Sequence, residues 1–159
     1  NKGTYLLLEA ASKLKVQNPD FKLLIVGEGL EKEKLEARSK KLELKDNVIF
    51  YGWAKDQKQV AELLIRSKIL VMPSYNEGGP RVIIEAMACG IPILATPVGI
   101  VADIIKNGRF IQIIDWNPED IAEKIKSLLA NDSKYKKYSG ADKGTAARFE
   151  KKSTIRNFA

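Results

Sequence analysis

The sequence predicts an α/β protein in which a doubly wound parallel sheet is covered by helices on both faces. Short apolar runs typical of buried strands alternate with segments of helical spacing along most of the chain. With 159 residues, 45% of them apolar and 30% charged, the chain has the size and composition of one globular domain. We therefore expect a single domain over residues 1–159, in which residues 131–159 form a C-terminal helical tail.

The first part of the chain predicts an opening helix followed by two repeats of strand and helix. Leu6, Leu7 and Ala10 follow helical spacing, and the apolar run FKLLIV is typical of a strand. The Gly27-Glu28-Gly29 turn then leads into a helix rich in Glu/Lys pairs, which suit an exposed face. The elements expected here are a helix over 4–16, a strand over 21–26, a helix over 30–44, a strand over 48–51, a loop over 52–56 and a helix over 57–67.

The central part predicts a buried strand, a Gly-rich loop, a helix and a second strand. The KILVM run at residues 68–72 is typical of a strand that is buried on both faces. Pro80 suits the first turn of a helix that continues through residues 81–89, and Gly90 suits its end. Because this helix has almost no polar side chain, we expect it to be buried nearly all round. The next strand is expected over residues 91–95.

The last part repeats the same alternation. We expect a short helix over residues 100–106 and a strand over 110–114. The amphipathic pattern at 118–129 predicts a helix for which Asn117 is the N-cap. Residues 133–157 are rich in lysine and poor in apolar side chains, so we expect them to be helical only in parts.

Two carboxylates stand out in the central part. Glu85 lies within the apolar helix, where a charge needs a hydrogen-bonding partner. It could accept hydrogen bonds from the hydroxyls of a ribose, or it could pair with Arg81 one turn earlier. Glu77 lies in the preceding loop and could face a ligand or water. The residue types alone leave both choices open.

The glycines of the strand-to-helix loops offer possible phosphate sites. Gly78-Gly79 precedes a helix start, where exposed N–H groups and the helix dipole favour an anion, although such glycines also simply form turns. Gly27-x-Gly29 lacks the third glycine of the dinucleotide fingerprint, which favours a plain turn. Ligands of doubly wound folds collect at the carboxyl ends of the strands. The loops of interest are therefore 27–29, 52–55, 73–79 and 96–99.

Composition excludes several kinds of chemistry. The absence of histidine removes the commonest general base and all His-containing zinc sites, and the single Cys89 excludes thiolate clusters and internal disulfides. We therefore predict no metal site. The single cysteine is compatible with a reducing compartment. A net charge of +7 favours anionic partners such as phosphate ligands, acidic lipid or nucleic acid.

The apolar window at residues 83–105 is long enough to span a membrane, but its residues argue against a span. Pro92 and Pro97 interrupt a continuous helix, and Glu85 and Asp103 introduce charges. We also expect no N-terminal signal sequence, because Lys2 is followed by a helical pattern with charged residues rather than by a cleavable apolar core.

The segment E-GGPRVII-E at residues 77–85, preceded by PSYN and followed by AMACGIPILAT, resembles the E-x7-E signature of retaining glycosyltransferases. These enzymes have the two-domain GT-B fold and form the glycosyl transferases group 1 (GT4) family. The similarity extends to NKG at residues 1–3, LLIVGEG at 23–29 and VIFYGW at 48–53. It implies a Rossmann-like donor-binding domain, the C-terminal half of such an enzyme.

The resemblance also implies roles for individual residues. Glu85 would hold the ribose, Glu77 would contact the donor sugar, and Lys2 would neutralise the leaving diphosphate. The base of the nucleotide would lie against loop 52–55, for which Ala54 is the best single candidate. The diphosphate would be bound by backbone amides of Gly78, Gly79, Arg81 and Val82.

The implied activity is metal-independent transfer of a sugar, with retention, from a UDP-, GDP- or ADP-sugar to an acceptor. It requires no cofactor beyond the donor substrate. The product would be a polysaccharide, a glycolipid or a cell-surface glycan. The implied location is cytoplasmic, with peripheral contact at the inner face of the membrane as an option for the full-length protein.

The chain departs from the family pattern at several points. Pro80, Ile100 and Asp103 stand where other members commonly have Gly, Gly and Glu. The family's first strand, the Arg that accompanies the Lys, and the N-terminal acceptor-binding domain would all precede Asn1. We therefore expect this chain alone to bind nucleotide weakly and to transfer nothing without its acceptor-binding partner domain.

Two other readings remain open. The net charge of +7 would suit a non-catalytic module that binds nucleic acid or an anionic membrane surface. Nucleic acid is not the expected partner, because the basic residues are scattered and are not interleaved with aromatic side chains. A GT-B epimerase or phosphorylase would share the donor-binding half and differ elsewhere.

Overall fold

The computed structural model describes residues 3–77, 81–107 and 111–139. Helices and strands alternate along these ranges, and the strands pair in parallel, which confirms the α/β class. The elements are α1 (Thr4–Lys15), β1 (Leu23–Val26), α2 (Lys32–Lys41), β2 (Val48–Gly52), α3 (Gln57–Ile65), β3 (Leu70–Met72), α4 (Arg81–Ala88), β4 (Ile93–Ala95), α5 (Ile100–Asn107), β5 (Ile111–Ile113), α6 (Pro118–Ala130) and α7 (Asp132–Tyr138).

Most elements match their predicted positions and differ only at their ends. The largest difference is at α2, which ends at Lys41 rather than at residue 44. The chain leaves the helix there because Glu43 has φ 56°, a left-handed conformation that a helix interior does not accommodate. In the C-terminal tail the structure describes α7, whereas residues 140–159 lie outside the described ranges.

The strands form two hydrogen-bonded sheets instead of the one continuous sheet that the sequence suggested. One sheet contains β1 and β2, and the other has the order β3–β4–β5. Leu23 pairs with Val48 in the first sheet, and Leu70 pairs with Ile93 in the second. Within the described ranges no strand connects β1 with β3, so the hydrogen-bonded ladder is interrupted there.

Helix α1 joins the two sheets. Leu8 and Ala11 pack in an apolar cluster with Val48 of the two-stranded sheet, and Ala10 packs with Leu94 of the three-stranded sheet. Lys13 Nζ lies 2.6 Å from Glu119 Oε1 on α6. Helix α1 is also held to α2, by hydrogen bonds from the guanidinium of Arg38 to the carboxylate of Glu9. Helix α1 therefore packs against both sheets and fixes their relative positions.

The main core surrounds β4, whose three residues are fully buried. Ile93 and Ala95 face a cluster built with α4 and α5, whereas Leu94 faces a cluster built with α1 and α6. This alternation is what a strand covered on both faces requires. It gives the carboxyl ends of β3, β4 and β5 a rigid support.

The prediction that helix α4 is buried nearly all round is wrong. Ile83, Ile84, Ala86 and Met87 are buried, but Arg81 and Ala88 are exposed, and Glu85 is half-buried. Positions 81, 85 and 88 share one face of the helix, because residues separated by three or four positions lie above one another. Helix α4 therefore packs one face on the core and presents a narrow stripe outward.

Candidate functional site

The loop after β3 carries Glu77 and is held by hydrogen bonds from neighbouring loops. Ser74 is buried, and its hydroxyl donates to Glu77 Oε1 at 3.0 Å. The Ser74 carbonyl accepts from Thr96 Oγ1 at 2.6 Å and from Trp116 Nε1 at 3.1 Å. Thr96 follows β4 and Trp116 follows β5. The carboxyl ends of all three strands therefore meet at one carbonyl oxygen.

The indole of Trp116 is also fixed by ring stacking. Its ring lies against that of Tyr75, with centroids 5.9 Å apart and planes inclined by 15°. The separation and the near-parallel planes correspond to an offset stack, which is a favourable geometry for aromatic rings. Both rings are partly exposed, with 46% of Tyr75 and 41% of Trp116 accessible to solvent.

Two glycines allow close backbone contacts at this edge. A Cβ on Gly99, which has φ +55°, would lie 2.1 Å from the Glu77 carbonyl oxygen. A Cβ on Gly3, with φ +67°, would lie 1.9 Å from the Pro73 carbonyl oxygen. Any other residue would clash with backbone at both positions. The start of α1 and the loop after β4 are thus pressed against the loop that carries Glu77.

Glu85 lies on the outward stripe of α4 and is half-buried. The pairing with Arg81, one of the two alternatives that the sequence left open, is absent, and within the described ranges the Glu85 carboxylate has no side-chain hydrogen bond or ion pair. A fully buried carboxylate without a partner would be strongly destabilising, but a half-buried carboxylate keeps part of its hydration. The Glu85 carboxylate lies near Cys89. Burial is the main cause that raises the pKa of the Cys89 thiol, and the negative charge of Glu85 raises this pKa further.

The remaining predicted donor-binding residues fall in three places. Arg81 and Val82 occupy the first turn of α4, so their backbone N–H groups have no acceptor within the helix. Gly78 and Gly79, the other predicted phosphate-binding positions, lie outside the described residues. The same holds for Lys2, the predicted catalytic lysine.

Ala54 belongs to a different group of loops, those of the two-stranded sheet. It is half-buried and follows β2. The loops after β1 and β2 contact each other, since a Cβ on Gly52 would lie 3.2 Å from Glu28 Oε1. The amide of Gly27 also donates to the Gly52 carbonyl at 2.7 Å. The predicted base-binding residue therefore lies at the end of the smaller sheet.

Ser74, Tyr75 and Thr96 lie in the predicted loops of interest, 73–79 and 96–99, but they were assigned no individual roles from the sequence, and Trp116 lies outside those loops. Trp116 follows β5, so the rule that ligands collect at carboxyl strand ends could have indicated it as well. The hydrogen bonds that connect these residues are not visible in a sequence, because they join residues up to 42 positions apart.

In residues 3–77, 81–107 and 111–139, no group of three or more His, Cys, Asp or Glu side chains is placed to hold a metal ion. None of the helices in these ranges combines the length and the apolar composition that crossing a bilayer needs.

Comparison with known families and proteins gives consistent results. The family model described as "Glycosyl transferases group 1" matches residues 1–144. D-inositol 3-phosphate glycosyltransferase of Segniliparus rotundus is 32% identical over 161 aligned positions, which cover 96% of this chain and 35% of that enzyme. The chain thus spans about a third of that relative's length.

Solved structures show the same fold. The C-terminal domain of a glycosyl transferase group 1 family protein from Francisella tularensis superimposes with a TM-score of 0.80 at 24% identity, covering 92% of this chain and 78% of that domain. A TarM variant of S. aureus, solved in complex with fondaparinux, alpha-GlcNAc-glycerol and UDP, gives a TM-score of 0.73 at 28% identity. That match covers 84% of this chain and 27% of TarM.

Proposed function

Since the chain belongs to the glycosyl transferases group 1 family, we propose that it is the donor-binding half of an enzyme that transfers a sugar from a nucleotide-diphosphate sugar to an acceptor. The reaction proposed is metal-independent and retains the configuration of the sugar. The acceptor would belong to the synthesis of a polysaccharide, a glycolipid or a cell-surface glycan.

The observation that carries the proposal is the arrangement of α4. Its first turn presents the amides of Arg81 and Val82, and Glu85 follows one turn later on the outward stripe. Four residues of helix correspond to about 6 Å along the axis, at roughly 1.5 Å per residue. A diphosphate at the helix start would therefore leave the adjoining ribose close to Glu85. A carboxylate without a side-chain partner in the described ranges is suited to accept the two ribose hydroxyls.

Glu77 is assigned to the donor sugar. Its carboxylate accepts from Ser74, and its backbone is in contact with Gly99. A group held in this way can meet the sugar without reorganising, which favours the transition state over the free substrate. The loop that carries Glu77 leads directly into α4, so this carboxylate precedes the proposed phosphate site by only four residues.

The departing nucleotide diphosphate develops negative charge, which the start of α4 would stabilise through its dipole and the N–H groups of its first turn. Lys2 is proposed to add a positive charge. Gly3, the next residue in the sequence, contacts Pro73 at the same edge, which supports this assignment. The net charge of +7 also suits an anionic donor.

UDP is a candidate for the nucleotide because TarM, the 28% identical neighbour, was solved with UDP. GDP and ADP remain candidates, and the base is proposed to lie against Ala54. The chain covers 35% of its Segniliparus relative, so we expect it to bind donor but not to transfer sugar by itself.

The proposal can be tested by calorimetry with UDP, GDP, ADP and their sugars, comparing this chain with Glu85→Ala. A ligand that binds only the folded state also raises the melting temperature, which gives an independent measurement. We expect one nucleotide series to bind and Glu85→Ala to weaken it by about 10- to 100-fold, the usual effect of losing hydrogen bonds to a charged group.

Glu123→Ala is the matched control, because Glu123 is an exposed carboxylate on α6 without a side-chain partner in the described ranges. Its nucleotide affinity should equal that of the unmodified chain. Unchanged affinity in Glu85→Ala would refute the ribose assignment. Salt-sensitive binding to DNA or acidic vesicles, with no binding of any nucleotide, would refute the donor-binding function as a whole.

A further inference from the structure

Trp116 holds an unusual position for an aromatic side chain. With 41% of its surface exposed, it contributes less to the core than a buried tryptophan would. Its directional contacts are nevertheless specific: the indole N–H donates to the Ser74 carbonyl at 3.1 Å, and the ring stacks on Tyr75. The orientation of the Trp116 side chain is therefore fixed by its hydrogen bond and its ring stack rather than by burial in the core.

The carbonyl that Trp116 contacts belongs to a residue that holds Glu77. Ser74 uses its hydroxyl to donate to Glu77 Oε1, and its carbonyl accepts from Trp116 and Thr96. Two donors on one carbonyl oxygen occupy both lone pairs and set the orientation of the peptide plane. The hydroxyl that orients Glu77 is attached to that fixed backbone.

We propose that Trp116 is a positioning residue for Glu77, acting through the Ser74 carbonyl to hold the carboxylate where the donor sugar binds. The inference rests on the proposed contact between Glu77 and that sugar. It adds a residue from the loop after β5, which no part of the E-x7-E resemblance includes. Trp116 itself need not touch the donor.

The two parts of the donor are assigned to different residues. The nucleotide is assigned to α4, whose amides and Glu85 do not depend on Ser74. The sugar is assigned to Glu77, whose position depends on the hydrogen bond from Ser74. Losing the Trp116 hydrogen bond should therefore weaken binding of the sugar portion and leave binding of the bare nucleotide diphosphate unchanged. A merely structural role would affect both ligands or neither.

The experiment compares Trp116→Phe with Tyr135→Phe. Trp116→Phe keeps an aromatic ring and removes the N–H donor. Tyr135 Oη donates to the Lys68 carbonyl at 2.9 Å, at the opposite end of β3, so Tyr135→Phe removes a comparable hydrogen bond far from the site. Thr96→Val, which removes the other donor to the Ser74 carbonyl with little change of shape, is a second test of the same contact.

The measured quantity is the dissociation constant of the nucleotide diphosphate divided by that of the corresponding nucleotide-diphosphate sugar. The nucleotide used is the one that the unmodified chain binds. We expect Trp116→Phe and Thr96→Val to reduce this ratio by about three- to tenfold, the effect of one hydrogen bond. Tyr135→Phe should leave the ratio unchanged. The affinity for the bare diphosphate should be the same in all four proteins.

The other outcomes are distinguishable. A ratio that stays unchanged in Trp116→Phe overturns the inference, as does an equal loss of affinity for both ligands. A native chain that binds the diphosphate without any added affinity from the sugar also overturns it, while leaving the nucleotide assignment intact. A native chain that binds neither ligand refutes the proposed function, and this inference with it.

Discussion

The two sheets differ in how completely the helices cover them. In β4 of the three-stranded sheet every residue is fully buried, whereas in the two-stranded sheet 47% of Val26 and 47% of Ile49 are exposed. The loops differ in the same way. Those of the larger sheet meet at Ser74, but a Cβ on Gly29 of the smaller sheet would have no neighbour within 4 Å. Precise positioning of a carboxylate requires rigid support, which the more fully buried, three-stranded sheet provides at Glu77.

The largest expected difference between the sheets concerns the same residue type on two strands. Ile93→Ala removes a side chain that is 0% exposed from the main core, and we expect it to lower the free energy of unfolding by about 3 to 4 kcal/mol. Ile49→Ala removes a side chain that is 47% exposed, so the loss should be about 1 kcal/mol or less. Urea unfolding measures both. Equal losses would mean that the two sheets contribute alike.

A glycine pair gives the next largest difference. Alanine at Gly99 would adopt φ +55° and would place its Cβ 2.1 Å from the Glu77 carbonyl oxygen. The left-handed conformation alone costs about 1 kcal/mol, and displacing the Glu77 loop adds to it, so we expect a loss of about 2 kcal/mol or more. The sugar-dependent gain in donor affinity should also be lost in Gly99→Ala.

Gly29→Ala is the counterpart in the smaller sheet. No atom lies within 4 Å of the added Cβ, and the backbone of Gly29 is outside the left-handed region. We expect its stability to be unchanged or to rise by about 0.5 kcal/mol, because alanine lowers the entropy of the unfolded chain. A marked loss in Gly29→Ala would show that the open loop after β1 is more constrained than its surroundings indicate.

The sequence was sufficient where the structure depends on neighbours along the chain. Asn117 was predicted as an N-cap, and its side chain accepts from the amides of Glu119 and Asp120, two and three residues away. The alternation of strands and helices was predicted for the same reason. Periodicity and capping are local properties, so a single sequence contains the information.

It was insufficient where distant segments meet. Asn47 is 2% exposed and donates to the carbonyls of Pro19 and Phe21, which lie 28 and 26 residues away. The contact of Trp116 with Ser74 is of the same kind. Strand pairing has this property as well, so apolar runs predicted parallel strands but not their division into two sheets.

In the candidate site, too, local sequence patterns were predictable and features that depend on packing were not. Glu77 and Glu85 were proposed from the E-x7-E resemblance, which is a local sequence pattern. The burial of Glu85 was overestimated, because apolar neighbours in sequence do not tell which face of a helix turns outward. The exposure of Arg81 and Ala88 on the same stripe could be known only from the packed structure.

The smallest expected difference concerns one ion pair from each half. In the larger half, Lys124 Nζ lies 2.6 Å from Asp120 Oδ1, with side chains that are 28% and 24% exposed. In the smaller half, Lys32 Nζ lies 3.4 Å from Glu28 Oε1, with side chains that are 40% and 47% exposed. Because screening by water weakens the longer and more exposed pair, Glu28→Gln should leave stability unchanged. Asp120→Asn should lower it by about 0.5 kcal/mol at neutral pH.

The pH dependence gives a second test of Asp120. Burial raises the pKa of its carboxyl, but hydrogen bonds from Lys124 and the Asp115 amide, with the Lys124 charge, outweigh burial and lower the pKa below 3.8. A carboxyl whose pKa is lowered by folding stabilises the protein above its unfolded pKa, and the stabilisation is lost as pH falls through the folded pKa. The difference between the native chain and Asp120→Asn should therefore be constant from neutral pH down to about pH 5 and should shrink below pH 3.8. Urea unfolding at a series of pH values measures it, and a difference that grows on acidification would contradict the assigned role of Asp120.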